Sequence, residues 1–123
     1  MKKLCDLHTH STASDGSLTP TELVALAKQT GLAAIVLSDH NTVEGLPEFL
    51  AAGEKYGVEA VPAVEFSTEF EGIELHIIAM FVEPEYYGVI TERMDDFKIR
   101  KEKSNIDLVF ALQKAGFDLD YDR

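Results

Sequence analysis

The chain predicts an α/β fold of about four mostly parallel strands with flanking helices. Three observations carry this. Short apolar runs alternate with longer segments of helical periodicity. The runs at 33–37 and 58–64 are apolar almost throughout, as expected of strands covered on both faces. Polar residues able to bind metal or move protons follow successive runs, at the carboxyl edge where α/β sheets carry their sites.

The first strand spans Leu4 to Leu7 and runs into His8-Thr9-His10. Residues 11–18 have loop composition. Thr19-Pro20-Thr21-Glu22 is a helix start: Thr19 as N-cap, Pro20 at the first helical position, and Glu22 completing a capping box. Leu23, Leu26 and Ala27 are the expected apolar face, and Gly31 ends the helix. The second strand, 33–37, leads into Ser38-Asp39-His40-Asn41-Thr42. A helix from about Val43 turns Leu46, Phe49, Leu50 and Tyr56 inward and stops at Gly57. The third strand runs from Val58 to Val64 and ends at Glu65; a turn over 68–73 surrounds Gly72; the fourth strand, 74–82, contains His76. From Pro84 to Ala115 the pattern is helical, with Ile90, Met94 and Phe97 on one face and Leu108, Val109 and Leu112 continuing it, up to Gly116.

The 123 residues suit a single domain, 1–123. Eleven basic residues stand against 22 acidic ones, a formal net charge of -11, which argues against bulk nucleic-acid binding or attachment to an anionic membrane. The same balance suits a holder of divalent cations, although solubility alone also explains it. Cys5 is the only cysteine, so no internal disulfide can form, and a reducing, cytoplasmic compartment is expected. A buried structural thiol is its expected state. Met1-Lys2-Lys3 is followed within a few residues by Asp6 and His8 rather than by an apolar leader, and no apolar run approaches membrane-spanning length.

The chemistry concentrates in His8, His10, Asp15, His40, Glu65 and His76. All four histidines of the chain belong to this set. Residues two apart on a strand face the same way, roughly 6.5–7 Å apart along the backbone, so the His8-Thr9-His10 pair can converge on one ion. Imidazole suits zinc, iron and manganese, and carboxylates favour the harder ions. Taken singly, each residue has a plainer reading: a coincidental pair at 8 and 10, a turn residue at His40, a satisfied core histidine at His76, and turn chemistry at Asp15. Glu65 resists this, because a carboxylate after Val61-Pro62-Ala63-Val64 is costly to bury without partners. Joint occurrence after successive strands favours a multinuclear hydrolytic site.

The segments Asp6-Leu7-His8-Thr9-His10-Ser11, Ser14-Asp15-Gly16, Ser38-Asp39-His40-Asn41-Thr42, Val64-Glu65 and His76 together resemble the polymerase and histidinol phosphatase (PHP) family, over about residues 4–83. The resemblance implies a distorted (β/α)7 barrel, here its amino-terminal portion, that hydrolyses phosphate esters at two to three divalent ions (Zn, Mn or Fe). By that resemblance His8 and His10 hold the first metal, Glu65 bridges the first and second, His76 binds the second, and Asp15 and His40 hold the third. Glu65, Asp15 and His40 then act catalytically through metal-activated water, on a phosphorylated small molecule or nucleotide. Asp39 either orients a ligand or caps a turn. Arg100, Lys101 and Lys103 read as a solvated helix face, with substrate phosphate as the alternative contact.

The family pattern also calls for a further histidine and an Asp-x-His pair downstream. No histidine follows His76; Asp118, Asp120 and Asp122 are acidic without one. The chain is therefore expected to be a portion of a longer enzyme, with a complete short protein as the alternative, and to self-associate through exposed sheet edges. A non-catalytic PHP-like metal-binding or interaction module is the competing function, and a metal-dependent amidohydrolase is a weaker one.

Overall fold

The computed structural model describes residues 3–121; Met1, Lys2 and Asp122, which figured in the sequence reading, lie outside them, as does Arg123. The chain divides into two compact units, Met1–Ile90 and Thr91–Arg123.

The first unit holds one four-stranded sheet in the order β1 (Cys5–Thr9), β2 (Ala34–Leu37), β3 (Glu59–Phe70) and β4 (Ile73–Met80). β1–β2 and β2–β3 are parallel, and β3–β4 is an antiparallel hairpin. The sheet is thus mixed, with β1 and β4 at its edges. β1 carries an irregularity between Asp6 and Thr9, three residues there facing the two-residue step from Ile35 to Leu37.

Helices α1 (Pro20–Gln29) and α2 (Leu46–Tyr56) pack on one side of the sheet. α1 starts as its sequence dictates. The Thr19 hydroxyl accepts from the Glu22 N–H and the Glu22 carboxylate accepts from the Thr19 N–H at 2.9 Å, while Pro20 occupies the first turn without a missing bond. α2 ends at Gly57, whose φ of 65° is the left-handed conformation that favours glycine. Gly53 lets α2 approach β3, because a Cβ there would lie 2.6 Å from the Ala60 Cβ. The core between helices and sheet is Val24, Leu37, Leu46, Phe49 and Val64, all fully or almost fully buried. On the opposite face of the sheet, Val36, Val61 and Ala63 form a smaller cluster with Ile78.

Several expectations need correction. α1 turns Pro20, Val24 and Ala27 inward, and Leu26 is 44% exposed. Val24 and Ala27 join the core with Leu23 packed against it, while Leu26 falls on the outer side of that stripe. α2 begins at Leu46 rather than Val43, since residues 41–45 form a largely buried loop tied to β3 by the Asn41 N–H donating to the Glu65 carbonyl. β3 does not end at Glu65 but continues to Phe70, because the hairpin partner supplies hydrogen bonds as far as Phe70–Ile73. Cys5 is exposed, as expected of a side chain on an edge strand with no neighbour beyond it among the described residues. A 3-10 turn, Pro84–Tyr86, precedes the long helix α3 (Tyr87–Lys114), in which Leu108 is 58% exposed.

In the second unit Met94, Phe97, Ile106, Val109 and Leu112 are partly buried positions of α3, and Gly116 (φ 94°) ends it, with the Phe117 N–H donating to the Leu112 carbonyl. Arg100, Lys101 and Lys103 are exposed there, as a solvated helix face requires.

The capping box carries a pH signature. The hydrogen bonds from Thr19 hold the Glu22 carboxyl below its ordinary value of 4.5. A depressed folded pKa means that the stabilisation is present above the unfolded value and lost as pH falls through the folded one. Urea unfolding of wild type and Glu22→Ala should therefore show wild type more stable near neutrality, with the gap closing below about pH 4.5.

Candidate metal centre

Glu65 is the centre of the site. It lies on β3, 4% exposed, between the small apolar cluster of the sheet and the histidines. Its backbone is fixed at both polar groups: the Glu65 N–H donates to the Asp39 carbonyl at 3.1 Å and its carbonyl accepts from the Asn41 N–H at 2.9 Å. This parallel bridge places His40 directly beside Glu65. Asn41 has φ of 53°, a conformation asparagine tolerates, and its side chain closes the turn by pairing with the Ser67 N–H and hydroxyl.

The carboxylate faces histidines with both oxygens. Oε2 lies 2.8 Å from His8 Nε2 and 3.1 Å from His10 Nε2. Oε1 lies 2.9 Å from His76 Nδ1, and His40 Nδ1 is 3.6 Å from Oε2. Burial pushes the Glu65 carboxyl up, but the hydrogen bonds of His8 and His76 and the charges of His40 and His8 outweigh it and hold the group below its ordinary value. His76 is raised, through its hydrogen bonds to Glu74 and then Glu65.

Asp15 forms a second focus. Its Oδ1 is 3.5 Å from His10 Nδ1 and its Oδ2 is 3.5 Å from His40 Nε2. The loop that presents it folds back on itself: the Gly16 N–H donates to the Ser11 carbonyl at 2.8 Å, and any side chain at Gly16 would collide with the His10 carbonyl. Asp39 holds this loop in place. Buried at 2% exposure, it accepts from the Ser11 N–H (2.7 Å), the Ser11 hydroxyl (2.6 Å) and the Ser14 hydroxyl (2.6 Å). Asp39 therefore acts as a turn carboxylate rather than on a histidine ring, pinning the backbone next to His10 and Asp15.

All six residues singled out from the sequence meet here. They form three overlapping groups, His8/His10/Glu65, His10/Asp15/His40 and His40/Glu65/His76, in each of which the ligand atoms lie within 4.8 Å of one another. The donors fit divalent ions of the zinc, manganese or iron kind. His8 Nε2 and His10 Nε2 sit 2.9 Å apart, an arrangement in which two lone pairs repel unless a cation or proton lies between them. His10 Nδ1 is buried without a hydrogen-bond partner, with Asp15 at 3.5 Å. Three participants escaped the sequence reading. Ser11 and Ser14 carry no signal beyond loop composition. Glu74, whose Oε1 is 3.0 Å from His76 Nε2, was legible from strand alternation, since it precedes His76 by two residues on the same face.

Comparison with known proteins matches residues 6–119 to the PHP domain. A 5'-3' exoribonuclease of Haemophilus influenzae is 38% identical over 122 residues, 99% of this chain and 44% of that protein. The structure of an amidohydrolase from Chromobacterium violaceum, with bound sulfate and no metal, superposes with a TM-score of 0.84 at 29% identity, over 96% of this chain and 41% of that one. A Bifidobacterium adolescentis protein assigned as a metal-dependent phosphoesterase superposes with a TM-score of 0.82 at 26% identity, again over 96% and 41%. The chain thus spans less than half the length of these relatives.

If Asp39 pins the loop, removing it strands the buried Ser11 donors. Asp39→Ala should lose at least about 2 kcal/mol of unfolding free energy, read by urea titration. Asp15→Ala, at an exposed position, should stay within about 0.5 kcal/mol of wild type.

Proposed function

The chain belongs to the PHP-domain family, and from that premise we propose that it contributes the amino-terminal portion of a PHP barrel that hydrolyses phosphate esters with divalent metal ions. The observation that carries the reading is the convergence of four imidazoles and two carboxylates at Glu65 and Asp15. His8, His10 and Glu65 would hold one ion; Glu65 and His76 a second; Asp15 and His40 a third. Zinc, manganese and iron all suit these donors. When bound, such ions supply Lewis acidity toward a phosphoryl group and lower the pKa of water.

The residues themselves do the positioning. Glu65 would serve two ions, since its two oxygens face different histidines, Oε2 toward His8 and His10 and Oε1 toward His76. Asp39 keeps Asp15 and His10 in register with His40 through the loop it pins. The His8 side chain is 48% exposed and that of Asp15 66% in this portion of the barrel. A phosphorylated small molecule, nucleotide or RNA end is the substrate class that fits, by analogy with the exoribonuclease relative. Amide hydrolysis is the second reading, favoured only by the description of the Chromobacterium relative; a panel of phosphate esters and amides separates the two.

Two further proposals follow from the fold. The open edges β1 and β4 lead the isolated chain to self-associate. A cytoplasmic location accords with the lone Cys5, and no helix among the described residues is long and apolar enough to cross a membrane.

Elemental analysis of the purified chain tests the central reading. Wild type incubated with manganese or zinc should retain about one or more ions per chain, and His8→Ala and Glu65→Ala should lose them. Wild type that stays metal-free would overturn it. Light scattering on the same samples reports self-association, and a monomer well above micromolar concentration would count against that proposal.

A further inference from the structure

Both ring nitrogens of His76 are engaged. Nδ1 lies 2.9 Å from Glu65 Oε1 and Nε2 lies 3.0 Å from Glu74 Oε1. Glu74 reaches the ring because residues two apart on β4 share a face. Its side chain is 71% exposed and that of His76 39%, so the pair adds little to stability. Its consequence is chemical. A neutral imidazole carries a proton on one nitrogen and a lone pair on the other, and a carboxylate accepts only from an N–H. Without an ion the Nδ1 contact to Glu65 calls for an N–H as much as the Nε2 contact to Glu74 does; an ion taken up at Glu65 would displace the Nδ1 proton and leave the remaining one on Nε2, toward Glu74. Flipping the ring would put carbon atoms where both nitrogens now sit and lose both contacts.

We propose that Glu74 is a positioning residue that locks the His76 ring with Nδ1 as its coordinating atom. This rests on the metal-site reading. Glu74 touches no reacting atom; it acts through His76, and carboxylates placed behind metal-bound histidines typically change metal affinity by about 10–100-fold.

The test uses the full chain with zinc alone as probe, in wild type, Glu74→Ala, Glu74→Gln and His76→Ala. Zinc affinity is measured by chelator competition, and 15N shifts of the His76 ring are recorded on zinc-loaded protein. Loss on His76→Ala defines the step that depends on this histidine. Wild type should show a protonated Nε2 and a zinc-bound Nδ1. Glu74→Ala should weaken that step about 10–100-fold and lose the Nδ1 signature while the circular dichroism stays unchanged. Glu74→Gln, whose carbonyl still accepts from Nε2–H, should restore the signature and part of the affinity. A Glu74→Ala protein with wild-type affinity and an unchanged Nδ1 signature would overturn the proposal, as would a Glu74→Gln protein no better than Glu74→Ala. A His76→Ala protein that binds zinc like wild type would instead sink the metal reading at this position, a result distinct from a failure of Glu74 alone.

Discussion

A carboxylate that is 4% exposed on a strand cannot stand without partners, and the site is organised around that constraint at Glu65. Three histidine nitrogens lie within 3.1 Å of its oxygens, brought there from the end of β1 and from β4. The parallel bridge to His40 and the hairpin to β4 each fix one side of Glu65, so the sheet topology and the site geometry are one arrangement. Without those partners the burial penalty would favour a neutral carboxyl; with them it stays below its ordinary value.

The second organising group is Asp39, also buried and satisfied, though by a loop rather than by histidines. Between them, two buried carboxylates divide the work: Glu65 gathers the histidines of the strands, and Asp39 ties the loop carrying Asp15 to the end of β2. His10 is where the two meet, with Nε2 toward Glu65 and Nδ1 toward Asp15. A perturbation of Asp39 would therefore reach the histidine cluster through the backbone at Ser11.

Most of the site was legible in the sequence because metal-binding chemistry uses few residue types, and His8, His10, His40 and His76 left no histidine unassigned. The helix start at Thr19-Pro20-Thr21-Glu22 was legible for the same reason: capping is local and its partners are three residues apart. What stayed hidden depends on contacts distant in the chain. The extension of β3 past Glu65 follows from pairing with β4, which apolar runs alone do not reveal. The exposure of Leu26 and Cys5 depends on which neighbours the sheet and helices bring. The bonds from Ser11 and Ser14 to Asp39 join positions 25 and 28 residues apart, and serine in a loop announces no partner.

The measurement that bears most directly on the central claim is anomalous X-ray scattering from crystals of this chain grown with zinc or manganese. An anomalous peak within bonding distance of Glu65 and either His8 and His10 or His76, about 2.0–2.3 Å, is the predicted result. Well-ordered crystals at saturating metal with no anomalous peak at Glu65 would contradict the account and leave the histidine cluster as a hydrogen-bonded network alone.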